Sequence, residues 1–335
     1  MPKRARGKPR IGVIIHTPLR DKLFAPEDRR RLEKLGRVRW TDSAKPLTDA
    51  AAAEVLADGD VGVGSWGTPC PKSPELMAAC PKLGLWEHVA GTVRHMFGPH
   101  LAGRKLAIAS CKTAIADNVA EATLGQVILG LRRLFENAAA NRAGKAAWPA
   151  KMKALRGSTV GVVGGSEVGR RVIRLLEPFG CRILLYDPFV TARQALAMGA
   201  ERAADLLKLC RASDCVTLHT PALPSTAKLL RAAHFRAMRD EAVFINTARG
   251  MCIDEAALIR ELAKGRLWAF LDVTEPEPAA DDSPLRRLPN VVLTSHMAGL
   301  PWFNMGAQAV DDIAAFLGGR RPLCVQTEEM LDRIA

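Results

Sequence analysis

The chain has 335 residues, 48% hydrophobic and 25% charged, which excludes intrinsic disorder and at this length points to two domains rather than one small module. Its 48 Lys and Arg against 35 Asp and Glu leave a formal net charge of +13, which raises nucleic acid as a partner, yet Lys3, Arg4, Arg6, Lys8 and Arg10 lie in a tail before the first apolar run. No run nears the ~18 apolar residues of a membrane span, no signal peptide is visible, and eight cysteines without a CxxC pair exclude a zinc site or disulfide framework, so a cytoplasmic protein is expected.

From Ile11 to about Ala109, short apolar runs (IGVII, VRW, VGVGSW, LGLWEHV, KLAIA) alternate with helical patterns at Glu27–Leu35, Asp49–Leu56 and Pro74–Ala79. This βαβα rhythm predicts a doubly wound, mostly parallel sheet, because parallel strands need long crossovers. Asp117–Glu136 reads as one long amphipathic helix capped by Asp117, and Ala138–Gly157, with Trp148 and Pro149, as a connecting arm. The rhythm restarts with six strand-like runs, TVGVVGG, RILLYD, CVTLH, AVFIN, LWAFLD and VVLTS, with a helical pattern at Asp254–Lys264, and a last amphipathic helix covers Ala307–Leu317. The fold class is therefore α/β with two parallel-sheet domains.

Val160–Asp187 (VGVVGGSEVGRRVIRLLEPFGCRILLYD) runs strand, glycine turn, amphipathic helix, strand and terminal Asp, the fingerprint of a dinucleotide-binding unit. Its three glycine places make the tight turn, admit the pyrophosphate, and let helix and strand pack closely; here they are Gly164, Ser166 and Gly169. The helix N-terminus, with Glu167 and Val168, faces the phosphates. Serine in the middle place adds a Cβ there and a hydroxyl able to donate to a phosphate oxygen, while Glu167 suits an anion poorly unless it points to solvent. Asp187 follows Gly169 by eighteen positions, near the ~20 expected of the carboxylate that accepts from the adenosine ribose hydroxyls. A carboxylate there disfavours a 2′-phosphate, so NAD(H) is expected. The blander reading is a glycine turn in some other α/β protein.

Three further segments follow strands of the second domain: NTARG with Arg249, LDVTEPEP with Asp272, Glu275 and Glu277, and SHMAG with His296. Ligands of open α/β sheets bind at that strand edge. Arginine suits a carboxylate or a polarised carbonyl, and histidine suits proton transfer, with a neighbouring carboxylate favouring its protonated form. Taken singly, Arg249 reads as a turn residue, Glu277 as a solvated loop residue and His296 as structural. Spacing alone does not show that the three meet.

The phosphate loop with YDP, the HTP at 219–221, NTARG, LDV with EPEP, and SHMAG occur together in this order, and with them the chain resembles the D-isomer-specific 2-hydroxyacid dehydrogenases, from about Ile11 to the last helix. Within that family it resembles the members broadly labelled hydroxyacid dehydrogenase, related to the phosphoglycerate dehydrogenases and the hydroxypyruvate or glyoxylate reductases. The resemblance implies a flavodoxin-like substrate domain from residues 1–116 and 300–335, a Rossmann NAD-binding domain from 117–299, and a homodimer. It makes Arg249 the substrate-binding arginine, His296 the acid/base, and Glu277 rather than Glu275 its carboxylate partner. Asp272 would contact the nicotinamide carboxamide, and His219, Thr220, Pro221 and Thr247 would line the cofactor. Backbone amides of Ala90, Gly91 and Thr92 would take the substrate carboxylate.

Two departures stand out. Ser166 replaces a glycine, and LPWFNM after His296 lacks the small polar residues usual there, pointing to Trp302 or Phe303 in an apolar substrate pocket. His88, Arg94, His95 and Trp66 are further pocket candidates. Formate dehydrogenases of the superfamily pair the histidine with glutamine, so Glu277 argues against that activity. The implied function is NAD-dependent interconversion of a small 2-keto acid and its D-2-hydroxy acid, mainly as a reductase. No membrane or specific nucleic acid is expected as a partner. The alternative is an NAD(H)-sensing interaction protein resembling the C-terminal binding proteins, corepressors that keep these residues; the basic tail supports it.

Overall fold

The central strand-forming runs are covered on both faces: Val61–Gly64, Leu85–His88, Cys215–Leu218 and Val243–Asn246 are buried at every position. That pattern belongs to parallel sheets covered by helices on both sides. The computed structural model describes residues 7–145, 151–302 and 304–330. The chain divides into two compact units, Met1–Ile115 with Pro301–Ala335, and Ala116–Leu300.

In the first unit, β1 (Arg10–Val13), β2 (Arg37–Trp40), β3 (Val61–Gly64), β4 (Leu85–His88) and β5 (Ala107–Ser110) are parallel, in the order β2-β1-β3-β4-β5. Ile11, Val13 and Ile15 pack on one side with Leu23, Phe24 and Leu32, while Ile14 packs on the other with Leu56, Met77 and Trp86. The helices Asp49–Leu56 and Pro74–Ala79 start where side-chain oxygens stop the backbone donors: Thr48 accepts from Ala51 N–H and Ser73 from Leu76 N–H.

The second unit holds β6 (Thr159–Val163), β7 (Arg182–Tyr186), β8 (Glu201–Arg202), β9 (Cys215–Leu218), β10 (Val243–Asn246), β11 (Trp268–Leu271) and β12 (Val291–Leu293). All are parallel, in the order β12-β11-β10-β9-β6-β7-β8. The order reverses between β6 and β9, which opens a crevice at the C-terminal ends of those strands. The chain then returns to the first unit with helix Met305–Leu317 and β13 (Val325–Gln326), which pairs antiparallel with β5. No helix among the described residues is long and apolar enough to cross a membrane.

The single helix expected at Asp117–Glu136 is corrected: the helices are Lys112–Leu131 and Leu134–Arg142, split at Arg133, which adopts φ 54° and ψ 33°. Tertiary contacts impose this break. The buried Arg133 guanidinium pairs with Glu241 at 3.2 Å and lies 4.7 Å from the Trp268 ring centroid, interactions a continuous helix would forgo. Asp117, expected as the cap, lies inside the first helix and pairs with Arg171. The connecting arm begins as the second of these helices, and its Trp148 and Pro149 lie outside the described residues. Helix Thr17–Leu23 and the two-residue strands β8 and β13 went unread, being too short to show a period. Of the basic tail, Lys3, Arg4 and Arg6 lie outside the described residues, whereas Arg10 begins β1 and pairs with Asp58 at 3.0 Å.

Glu87 on β4 is fully buried, with Cys111 Sγ 3.6 Å from Oε1 and no partner for Oε2. Burial, reinforced by Asp312, raises its carboxyl well above the usual range, so the fold favours the neutral acid. Its contribution to stability is complete below the unfolded-state pKa and is lost as pH rises toward the raised folded-state value. Glu87→Gln, which keeps the shape and removes the titration, is expected to raise Tm at pH 8 and to change it much less at pH 5; equal shifts in melts at the two pH values would contradict this account.

Candidate active site

The glycine loop is built by close approach. Gly164, ending the turn after β6, has φ +100°, and a Cβ there would lie 2.8 Å from the His219 carbonyl oxygen. A Cβ on Gly169 would lie 2.0 Å from the Gly164 carbonyl oxygen, so the helix Glu167–Leu176 meets its strand only through glycine. Ser166 caps that helix, its hydroxyl oxygen accepting from Gly169 N–H at 3.4 Å, which leaves its own O–H free to donate outward. Glu167 does not simply face solvent: its carboxylate pairs with Arg171 at 2.6 Å, one turn along. Val168 packs against the core.

Asp187, following β7, accepts from Gly165 N–H at 2.7 Å and Phe189 N–H at 2.8 Å, which ties it to the same loop. Across the switch point, His219 is buried with Nε2 2.9 Å from Thr217 Oγ1, and burial pushes its pKa down to about 3, leaving the ring neutral. Thr220 Oγ1 is buried without a partner, Pro221 accepts from Thr226 Oγ1 at 2.5 Å, and the Thr247 hydroxyl lies 3.2 Å from Thr123 Oγ1. A crevice of glycine backbone, a helix N-terminus and an unpartnered hydroxyl fits a dinucleotide pyrophosphate.

The chemistry-bearing side chains stand on neighbouring strand ends. After β10, the Asn246 carboxamide accepts from Ala248 N–H at 3.0 Å and donates to the Arg249 carbonyl at 3.1 Å, which shapes the loop. Arg249 Nη1 donates to the Ala248 carbonyl at 2.6 Å, and its guanidinium pairs with no carboxylate among the described residues. Gly250 lets this loop press on the next: a Cβ there would lie 2.1 Å from the Thr274 carbonyl oxygen.

After β11, the peptides Glu275-Pro276 and Glu277-Pro278 are cis, and Glu277 Oε1 lies 2.5 Å from His296 Nδ1. Glu275 instead turns its backbone N–H to Glu255 at 2.9 Å. A cavity of about 670 Å³ is lined by Asp272, Thr274, Glu277, Arg286 and His296 among others.

His296 is held in the left-handed region, φ 52°, by Asp272. The Asp272 carbonyl accepts from His296 N–H at 2.8 Å. Its carboxylate accepts from Thr294 Oγ1 at 2.6 Å, Met297 N–H at 2.8 Å and Ala298 N–H at 2.9 Å. Sequence reasoning assigned Asp272 a cofactor contact and missed that it builds the histidine turn, along with Asn246, Gly250 and Thr294. The adjacency of Asn246 to NTARG and of Thr294 to SHMAG was the available signal.

In the first unit, the three N–H groups expected to take a carboxylate differ in their bonding. Ala90 N–H donates to the His88 carbonyl at 2.7 Å, whereas those of Gly91 and Thr92 donate to no protein acceptor among the described residues. His88 and His95 rings lie 6.3 Å apart, Trp66 and Trp302 rings 5.1 Å apart, and Phe303 lies outside the described residues.

Residues 124–298 match the family model described as D-isomer specific 2-hydroxyacid dehydrogenase, NAD binding domain. The chain belongs to the D-isomer-specific 2-hydroxyacid dehydrogenase family. It is 31% identical to glyoxylate/hydroxypyruvate reductase B of Klebsiella pneumoniae over 318 residues, covering 92% of this chain and 95% of the relative. It is 31% identical to D-3-phosphoglycerate dehydrogenase of Methanocaldococcus jannaschii over 290 residues, covering 85% of this chain and 53% of the relative, so it spans about half the length of that protein. The crystal structure of the TT0316 protein from Thermus thermophilus superposes with a TM-score of 0.74 at 27% identity, covering 95% of this chain and 100% of that one. That protein therefore shares the two-sheet α/β architecture described above.

Two substitutions test the site's construction. Gly169→Ala forces helix and strand apart, and is expected to lower stability by about 1–3 kcal/mol and to weaken NADH binding measured by fluorescence titration. Asp272→Asn turns an amide donor toward a backbone N–H, and is expected to cost about 1–3 kcal/mol in denaturant melts while lowering kcat more than NADH affinity.

Proposed function

We propose that the protein interconverts a 2-keto acid and its D-2-hydroxy acid with NAD(H), working mainly as a reductase. The observation that carries this reading is the 2.5 Å contact of His296 Nδ1 with Glu277, on the strand edge that also bears the Arg249 guanidinium, which pairs with no carboxylate among the described residues. NAD(H), when bound in the crevice between β6 and β9, supplies the hydride donor or acceptor. Gly164, Ser166 and Gly169 would hold its pyrophosphate, Asp187 its adenosine ribose, and Asp272 with Thr247 its nicotinamide end. His219, Thr220 and Pro221 would line it.

Arg249 offers its forked donors to the substrate carboxylate or keto oxygen, and in the first unit the N–H groups of Gly91 and Thr92 are the donors that the family resemblance assigns to a substrate carboxylate. With Nδ1 engaged by Glu277, His296 presents Nε2 to the carbonyl oxygen and donates the proton as the alcohol forms; in the reverse direction it accepts one. Glu277 fixes the ring orientation and offsets the charge of the imidazolium. The eight free cysteines are in keeping with a reducing cytoplasm. The exposed apolar side chains of Leu134 and Phe135 support a homodimer built on the second unit.

Purified protein is expected to oxidise NADH in the presence of a 2-keto acid; binding of NADH with no turnover of any tested acid would sink the proposal and favour a sensing role. His296→Ala is expected to lower kcat by about 10²–10⁴-fold with NADH affinity retained. Arg249→Lys, which loses the planar fork, is expected to raise KM for the keto acid in the same assay.

A further inference from the structure

The first unit's sheet ends in an aromatic pair that the chemistry proposed above leaves unused. Trp66, two residues past β3, is 40% exposed, and its ring lies 5.1 Å from that of Trp302 with the planes inclined at 40°. The loop carrying Trp66 is tightly held. Val89 N–H donates to the Gly64 carbonyl at 2.8 Å, the Ser65 hydroxyl donates to the Val89 carbonyl at 2.7 Å, and Ser65 N–H donates to Thr68 Oγ1 at 2.9 Å. Trp66 thereby stands in the turn that follows β3, beside β4, whose end leads into Gly91 and Thr92.

The opposite rung of β4 is also aromatic. His88, paired in register with Gly64, is 4% exposed with Nδ1 unpartnered, and its ring meets His95 edge-on. Burial pushes His88 down to about 3, and burial with Lys72 nearby lowers His95, so both rings are neutral at pH 7. The cations of this rim are Lys72 and Arg94.

We infer that Trp66 and Trp302 receive the aromatic side chain of the substrate, so that the preferred substrate class is an aryl-bearing 2-keto acid such as phenylpyruvate. This rests on the 2-keto acid chemistry proposed above. A 2-keto acid anchored by its carboxylate on the Gly91 and Thr92 amides carries its side chain two bonds from that carboxylate, and the strand end beside the one that leads into those amides carries Trp66. A ring there reaches the ~4.5–7 Å centroid distances at which aromatic pairs attract. Glyoxylate has no side chain and hydroxypyruvate only a hydroxymethyl, so neither covers the exposed indole. A phosphorylated side chain needs clustered cationic donors; the two indoles and two neutral imidazoles supply none, so it would have to rely on Lys72, which lies near His95, and on Arg94.

The test compares kcat/KM for phenylpyruvate, glyoxylate, hydroxypyruvate and 3-phosphohydroxypyruvate with NADH and the unaltered protein, then repeats it for Trp66→Ala and Trp302→Ala. Phenylpyruvate is expected to exceed the others by about tenfold or more, and each variant to lower the phenylpyruvate-to-glyoxylate ratio by about tenfold. A higher value for a small or phosphorylated acid, or a ratio unmoved in both variants, overturns the aromatic subsite while leaving the 2-keto acid chemistry standing. Failure to reduce any of the four acids overturns that chemistry as well. The ranking for the unaltered protein decides the question even where a variant does not fold.

Discussion

The Asp272 carboxylate, 2% exposed at the end of β11, organises the turn that carries His296. A buried carboxylate is tolerated only when donors surround it, and here a threonine hydroxyl and two backbone N–H groups do so. Those same donors belong to the residues on either side of His296. The left-handed conformation of a non-glycine residue costs about 1–2 kcal/mol, and the Asp272 bonds offset it. With the turn so fixed, the imidazole meets Glu277 from the neighbouring strand end, and the pair's geometry follows from main-chain bonds rather than from two mobile side chains.

Steric exclusion plays the corresponding role at the glycine loop. Gly164 and Gly169 permit contacts that no side chain would, and the resulting approach puts the helix N-terminus against the strand switch point. Ser166 is compatible with this arrangement because the middle place coincides with the cap of the helix, where a hydroxyl oxygen has an N–H to accept. The pairing of Glu167 with Arg171 turns an unfavourable charge at the phosphate end into a helix-surface ion pair. The net positive charge of the chain is thus divided among a basic tail, surface ion pairs and Arg249, which forms no ion pair with a carboxylate among the described residues.

Much of the fold was legible because the pattern was strong. Long apolar runs gave the parallel strands of two sheets, and Asp49–Leu56 and Pro74–Ala79 were visible as helical patterns between them. Helix Lys112–Leu131 was not: its start and stop lie in contacts, above all the burial of Arg133 against Glu241 and Trp268, which local propensity does not register. β8 and β13, two residues each, exist because a neighbouring strand offers free hydrogen-bonding groups.

The sequence by itself determined which chemistry was available: a glycine-rich turn with its acidic residue, an arginine, a histidine and a choice of glutamates on successive strand ends, because those signals are local and survive as motifs. Only the tertiary structure decided which of them meet. Glu277 rather than Glu275 stands against His296, Asp272 builds the turn beneath it, the Ala90 N–H is taken by the His88 carbonyl, and Trp66 finds Trp302. Each of these depends on distances between residues that are remote in sequence or on the direction of a single N–H, and neither composition nor spacing encodes such distances.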